Sequence, residues 1–532
     1  MSDDSPRRDF IKVLAAVTAV AVPVASAYGA EQVSTPERSR TSLFNILDFG
    51  AVPDGKALCT PAIQAAVDAC AKSGGGKVIV PAGNFLTSAI FLKSHVEVEI
   101  LAGATLLFTT DFSAVPAMQG RWEGIDRTTY AALFTGLDLE NVSITGRGVL
   151  DGQGEAWWRA FRQDRDLRRK LELEEREPEN PPGSLLKWGR PRMINLFRCR
   201  NVRIAGISIV NAPSWNVHPV QCDNVVIDGL TITAPEHSPN TDGIDPDSCR
   251  NVRIANCYIS VGDDCIIIKS GYKFREDGIP CENLTITNCV FGTGHAGVGI
   301  GSETAGGVRN VAISNCVCDG TQRGLRFKTA RSRGNVVENV RASNVVMRNV
   351  GEAVVVTMFY TGGDLHKSEP VNQGTPRFRN LHFSDIFATN VKKAAVIEGL
   401  PEMPIEEVSI SNFTVESAET GIACTNAIGV RFSDAVVNVA KGPVLAADTV
   451  QNLDLARATT RKPKSGDPVV RFENVTDAVL QSCTAPQGTG TFLELKGTAN
   501  RDISLIGNRL SRAAHEVGLV NGASDTAIVK RS

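Results

Sequence analysis

Aromatic residues make up only 6% of this 532-residue chain, and beyond the N-terminus no long apolar run occurs. That second absence excludes an internal membrane-spanning helix, which needs about 20 predominantly apolar residues. An excess of one charge is missing too: 56 Lys and Arg stand against 58 Asp and Glu, a formal charge of −2. Bulk attraction to nucleic acid or to a polyanion is thereby excluded, and any taste for an anionic ligand must rest on local Arg and Lys. The thirteen cysteines are odd in number, and Cys257, Cys289 and Cys316 each follow an Asn in a repeated phrase. They read as small buried hydrophobes rather than as a disulfide framework, with Cys265–Cys281 or Cys316–Cys318 pairing left open. No Cys/His spacing matches a zinc site. Neither a metal nor a cofactor is expected.

What is present begins with an address. Arg7-Arg8 precedes Phe10-Ile11-Lys12, an apolar run over 13–24 and the small-residue site Ala25-Ser26-Ala27. The pattern predicts a removed export signal over 1–27 of twin-arginine type, read by a receptor rather than acting as an anchor. The expected location is periplasmic or extracellular, off the membrane once the signal is gone.

A short phrase then recurs along the chain: Asn141-Val-Ser-Ile, Asn201-Val-Arg-Ile, Asn224-Val-Val-Ile, Asn251-Val-Arg-Ile, Asn283-Leu-Thr-Ile and Asn310-Val-Ala-Ile. Each copy alternates apolar and polar residues, as a strand with one buried face does. The steps from 224 to 251 and from 283 to 310 are both 27 residues, a period that means a solenoid. The reading is an all-β fold, a right-handed single-stranded parallel β-helix over 42–515. A sandwich or propeller would need evenly spaced hairpins instead. A solenoid end must be covered; Thr60-Pro61 with Ile63, Val67 and Cys70 predicts an N-terminal capping helix, stopped by Gly74-Gly75-Gly76. At the other end the one candidate helix lies at 513–519. The charged stretch 159–182 breaks the repeat and reads as an insertion, either a solvated helical flap or a wall touching substrate. Over 436–515 the coils grow fainter, with a separate small β domain as the alternative.

Four clusters fall on successive coils: Asn240-Thr241-Asp242-Gly243, Gly262-Asp263-Asp264-Cys265, Gly294-His295-Ala296-Gly297 and Arg326-Phe327-Lys328. Asp242 and Asp263 are 21 positions apart, close to one coil, so Asp242 should lie beside Asp263 or Asp264. Residues one coil apart stack at ~4.8 Å. Alternation within 326–328 sends both cations to one face and Phe327 to the core. Crowded carboxylates cannot all ionise freely, so one holds its proton to higher pH. A proton-bearing carboxyl beside an ionised one is what breaking a glycosidic bond requires. Nearby Arg offers a two-pronged match to a sugar carboxylate.

These clusters resemble the four motifs of the polygalacturonase family, glycoside hydrolase family 28. The likeness extends to 44–51, to Asp151 through Trp158, to 213–219 and to 399–405, covering about 42–435. The third motif departs from the family, with Ala296 where Gly is common. The resemblance implies an enzyme cutting α-linked galacturonic acid in a pectin-like glycan, an acidic polysaccharide or oligosaccharide being the only expected partner, and the protein working as a monomer. It implies Asp263 as general acid, Asp242 and Asp264 handling the attacking water, and His295 supporting the acid. Asn240, Arg326, Lys328 and Tyr360 would contact substrate. Trp215 and His218 look like sugar-binding positions of the exo-acting bacterial branch. The family also implies inversion, although stacked coils bring carboxyls closer than the ~6.5–9.5 Å usual for inverting pairs. Rhamnogalacturonan or xylogalacturonan would be alternative substrates. A lyase-like β-helix or a non-catalytic glycan-binding solenoid would be alternatives of another class.

Overall fold

The repeated Asn phrase becomes a corner followed by a strand. Asn141, Asn201, Asn224, Asn251, Asn283 and Asn310 all sit in the left-handed region, at φ between 54° and 60°, a conformation that Asn tolerates better than other side chains. Their amides also bridge successive coils: Asn201 donates to Asn141 at 2.9 Å, Asn224 to Asn201 at 2.8 Å and Asn310 to Asn283 at 3.0 Å. Between Asn224 and Asn251 this ladder breaks, and Asn251 donates to Asp223 instead, at 2.8 Å. After each corner the apolar positions stack in register, Val202 on Val225, Val252, Leu284, Val311 and Val340. All six are buried at 2% exposure or less.

The computed structural model describes residues 42–173 and 181–529. The export signal expected over 1–27 and residues 174–180 of the insertion lie outside them. The described chain is a right-handed parallel β-helix whose strands pair coil upon coil. Helix α1, Thr60–Lys72, covers the N-terminal coil with Ala62, Ile63, Ala66, Val67 and Cys70 buried, and Pro61 opens it. Coils continue past 436 in the same register and run on to the strand Ile528–Val529. The helix expected at 513–519 is instead the strand His515–Val520. There Val517 and Leu519 pair with Leu493 and Leu495, because the segment alternates with period two rather than 3.6. Among the described residues no helix is long and apolar enough to cross a membrane.

All thirteen cysteines are buried free thiols, so neither of the two pairings left open by the sequence is formed. Cys199, Cys222 and Cys249 stack on successive coils: the Cys199 amide donates to the Cys222 sulfur at 3.4 Å, and that of Cys222 to Cys249 at 3.3 Å.

Two excursions build over one face of the helix. A hairpin of Ala117–Trp122 and Ile125–Tyr130 lays Trp122 flat on Trp215, with ring centroids 4.5 Å apart. The second excursion is helix α2, Gly154–Lys170, and the loop that follows it. It starts five residues before the charged stretch. Its inner face buries Trp157 and Trp158, and Trp157 packs against Phe108, Phe112 and Tyr130. Asp164 is buried too and accepts from the amides of Leu185 and Leu186 at 2.7 and 2.9 Å. Only the outer face is solvated. The segment is a wall, not a detached flap.

Candidate active site

Strand register decides which carboxylates meet. Ile244 bridges Ile266, and Ile266 pairs with Val298. Two residues upstream, Asp242 therefore faces Asp264 across the coils, and His295 faces Asp263. One side-chain oxygen from each of Asp242, Asp263 and Asp264 lies within 4.8 Å of the others. His295 Nδ1 is 2.7 Å from Asp263 Oδ1, and the Asn240 amide donates to Asp263 Oδ2 at 3.4 Å. Ala296, the departure in the third motif, is fully buried, and its carbonyl accepts from the Cys265 amide at 2.8 Å.

Two lysines hold the remaining carboxylates. Lys328 Nζ reaches Asp264 Oδ2 at 2.7 Å, across the coil that carries Gly299 and Ile300. A Cβ on Gly301, at φ +86°, would collide with the Lys328 carbonyl. Lys269 lies 3.3 Å from Asp242 and 2.7 Å from Asp245. The triad could in principle chelate a cation, but two buried ammonium groups already supply the positive charge that an ion would bring. Lys328 was expected to bind a sugar carboxylate. It is instead buried and committed to Asp264, because its ammonium needs a counter-charge there. Arg326 takes the open position: half-buried, over the Tyr360 ring at 5.6 Å, and without an ion-pair partner among the described residues.

Burial and the neighbouring Asp263 charge push the Asp242 carboxyl well above the usual carboxylate range. Burial also raises Asp245, to about 6. For Asp263, burial acts upward but is outweighed by the His295 hydrogen bond and by the charges of His295, Lys328 and Lys269, leaving it below its ordinary value. The same contact raises His295. These opposite shifts favour an ionised Asp263 and give Asp242 the stronger grip on a proton.

Trp215 and His218 are corrections. They are 3% and 0% exposed, sealed under the Trp122 hairpin rather than open to a sugar. Lys269 Nζ sits 3.6 Å from the Trp215 ring centroid and His218 Nε2 3.7 Å from Asp247. Both residues support the floor from below.

Beside Asp263 and His295 lies a cavity of about 470 Å³. Its walls include Trp122 from the hairpin, Phe161 and Arg165 from α2, and Trp188 and Arg190 from the loop after it. At the hairpin tip, Gly124 abuts Gly271 and Tyr272 closely enough that a Cβ would lie 2.8 Å from the Gly271 carbonyl carbon. The hairpin tip is thereby seated on the loop of Gly271 and Tyr272. Sequence reading missed Lys269, Asp245 and Arg190, and also the hairpin, whose Trp122-Glu123-Gly124 turn was the available signal.

The sequence model described as glycosyl hydrolases family 28 matches residues 179–435. A probable polygalacturonase of Vitis vinifera is 36% identical over 390 residues, spanning 70% of this chain and 74% of the relative. An endo-polygalacturonase of Pectobacterium carotovorum is 33% identical over 380 residues, spanning 68% and 85%. Among solved structures, a hyperthermoactive exopolygalacturonase from Thermotoga maritima superposes with a TM-score of 0.63 at 32% identity, covering 74% of this chain and 91% of that one. With the β-helix, the stacked carboxylates and this extent of identity taken together, the chain belongs to glycoside hydrolase family 28, the polygalacturonase family.

Proposed function

We propose that the protein is an exported polygalacturonase that removes α-linked galacturonic acid from the ends of pectin-like chains. The observation that carries this reading is the carboxylate cluster, whose Asp263 lines a cavity walled by the hairpin, α2 and the loop after it, a wall that in this reading closes one end of the cleft. A cleft blocked beyond the cleavage point accepts a chain end and excludes a through-running polymer. The half-buried Arg326 beside Tyr360 supports an anionic sugar on the open side. Export rests on the 1–27 pattern of the sequence.

In this mechanism Asp263 takes up a proton as the anionic substrate binds and gives it to the leaving glycosidic oxygen. Water, held by Asp242 and Asp264 and losing its proton to one of them, attacks from the opposite face and inverts the anomeric carbon. His295 holds Asp263 in place. Lys269 and Lys328 are tied up in ion pairs, so an elimination would have to use Arg326 as its base.

A second assignment has one observation in its favour: Asp242, with its raised proton affinity, would be the acid. Leaving groups separate the two, because a good leaving group needs no protonation. Polygalacturonate hydrolysis, followed by new reducing ends without new ultraviolet absorbance, should fall by about 10²–10⁴-fold in Asp263→Asn. Cleavage of an aryl galacturonide by that variant should survive far better. If Asp242→Asn shows that selective survival instead, the two roles are exchanged. Wild-type release of ultraviolet-absorbing product would refute hydrolysis altogether.

A further inference from the structure

Arg190 enters neither the four motifs nor the mechanism above, yet it is 2% exposed and lies between helix α2 and the catalytic carboxylates. Its guanidinium is 3.8 Å from the centroid of the Phe161 ring on α2. One of its nitrogens, Nη1, donates to the carbonyls of Pro213 and Pro239 at 3.1 and 2.5 Å. The other, Nη2, donates to Asn240 Oδ1 at 2.6 Å.

An arginine can only donate. By occupying the carbonyl end of the Asn240 amide, it forces the NH2 end to point the other way, and that end reaches Asp263 Oδ2. Without Arg190 the amide could rotate and present its oxygen to Asp263. An amide N–H favours the ionised carboxylate, whereas an amide oxygen favours the protonated acid. One buried arginine thus sets the sign of a hydrogen bond to Asp263, a residue with which it makes no hydrogen bond itself.

We infer that Arg190 is a positioning residue that fixes the orientation of the Asn240 amide and, through it, the proton affinity of Asp263. The fork geometry matters as well as the charge: two carbonyls and an amide oxygen are met by one rigid plane, which a lysine ammonium cannot reproduce. Through Phe161, the wall that closes the cleft is packed directly on this chain of contacts. The charges bearing on Asp263 are Arg190 itself, which also acts on it directly through its charge, and His295, Lys328 and Lys269, with Asp242 and Asp245 opposing them; Arg190→Lys keeps the direct charge and loses the fork. None of the other groups touches Arg190 through a hydrogen bond in the described structure.

The inference rests on Asp263 being the general acid. The experiment compares wild type with Arg190→Gln, Arg190→Lys, Asn240→Ala and the double variant Arg190→Gln/Asn240→Ala, each checked for a cooperative unfolding transition. Loss of the amide N–H raises the proton affinity of Asp263, so the high-pH limb of kcat, where the acid would ionise, should move upward by about 0.5 pH unit or more in both Arg190→Gln and Asn240→Ala. KM should change less than kcat, because Arg190 does not grip the sugar. Arg190→Lys should not restore the wild-type limb. In the double variant, Arg190→Gln should add clearly less to the Asn240→Ala shift than it produces alone, since part of its effect runs through the amide.

An unmoved limb in Arg190→Gln, or a full additional shift in the double variant, would overturn the inference. Asn240→Ala disturbs none of the proline carbonyls, so it reports even if the arginine variants unfold. Should Asp263→Asn keep its activity on polygalacturonate, the assignment of the acid fails first, a result separable from any behaviour of Arg190.

Discussion

Asp242 carries both the chemistry and a cost. Its folded proton affinity is raised by burial and by Asp263, while in the unfolded chain it titrates near the usual ~3.9. Stability linked to this group is therefore complete below about pH 3.9 and is lost progressively as pH rises toward the folded value. Asp242→Asn removes that loss. The variant should be inactive on polygalacturonate, yet unfold at a higher temperature than wild type at pH 7, with the gain shrinking toward pH 4. A calorimetric scan at the two pH values checks it; equal or lower midpoints for the variant at pH 7 would contradict the raised affinity. Lys269 keeps Asp245 as a partner at 2.7 Å, so the substitution does not strand a buried cation.

At the scale of elements, the site is made by what covers the β-helix. The hairpin of Ala117–Trp122 and Ile125–Tyr130 is held down beside its turn by Trp122 on Trp215 and by a hydrogen bond from Arg192 to the Arg121 carbonyl. At its tip it is held by the contact of Gly124 with Gly271 and Tyr272. Gly124 has φ +74°, in the left-handed region where a β-branched residue is disfavoured. Gly124→Val should lift the tip and open the closed end. Early products from polygalacturonate, separated by chromatography, should then change from one short end-product to a spread of oligomers. An unchanged single product would mean that α2 and its loop suffice to close the cleft. α2 itself is anchored by Trp157, and a tryptophan this buried typically costs about 3–5 kcal/mol when cut to alanine.

For the whole molecule, pH stability should bear the mark of the sealed floor. Burial keeps His218 neutral, lowering it to about 3 against the opposing pull of Asp247. In the unfolded chain it accepts a proton near ~6.5. The stability tied to neutral His218 is thus present above about pH 6.5 and lost as pH falls toward 3. His218→Gln should flatten the decline of unfolding free energy across that window, measured by denaturant titration at several pH values. A slope equal to that of wild type would show that His218 is protonated in the folded protein. The effect is global because His218 sits in the strand Val217–Val220, paired to the coils on either side, and cannot take up water without disturbing both.

The β-helix was readable from single residues because its rules are local. An Asn that tolerates positive φ marks each corner, and period-two alternation decides which side chains enter the core, so Val225 and Ile227 could be placed without knowing any partner. The same periodicity put Asp242, Asp263, Asp264 and His295 on neighbouring coils. At the C-terminus, a short segment that suited either helix or strand was settled only by Leu493 and Leu495 waiting on the coil beneath. Register chose Asp264 as the partner opposite Asp242, and coiling brought Lys328 across 64 positions of sequence to reach it. Trp215 and His218 looked like sugar contacts because their own neighbourhood says nothing about the hairpin that buries them. Sequence by itself determined the coil, its core and the carboxylate cluster, since each follows from backbone preference and spacing. Tertiary structure alone decided which charges are neutralised, which side chains are covered and which segments wall the cavity beside Asp263, because each depends on segments distant in the chain brought within a few ångströms.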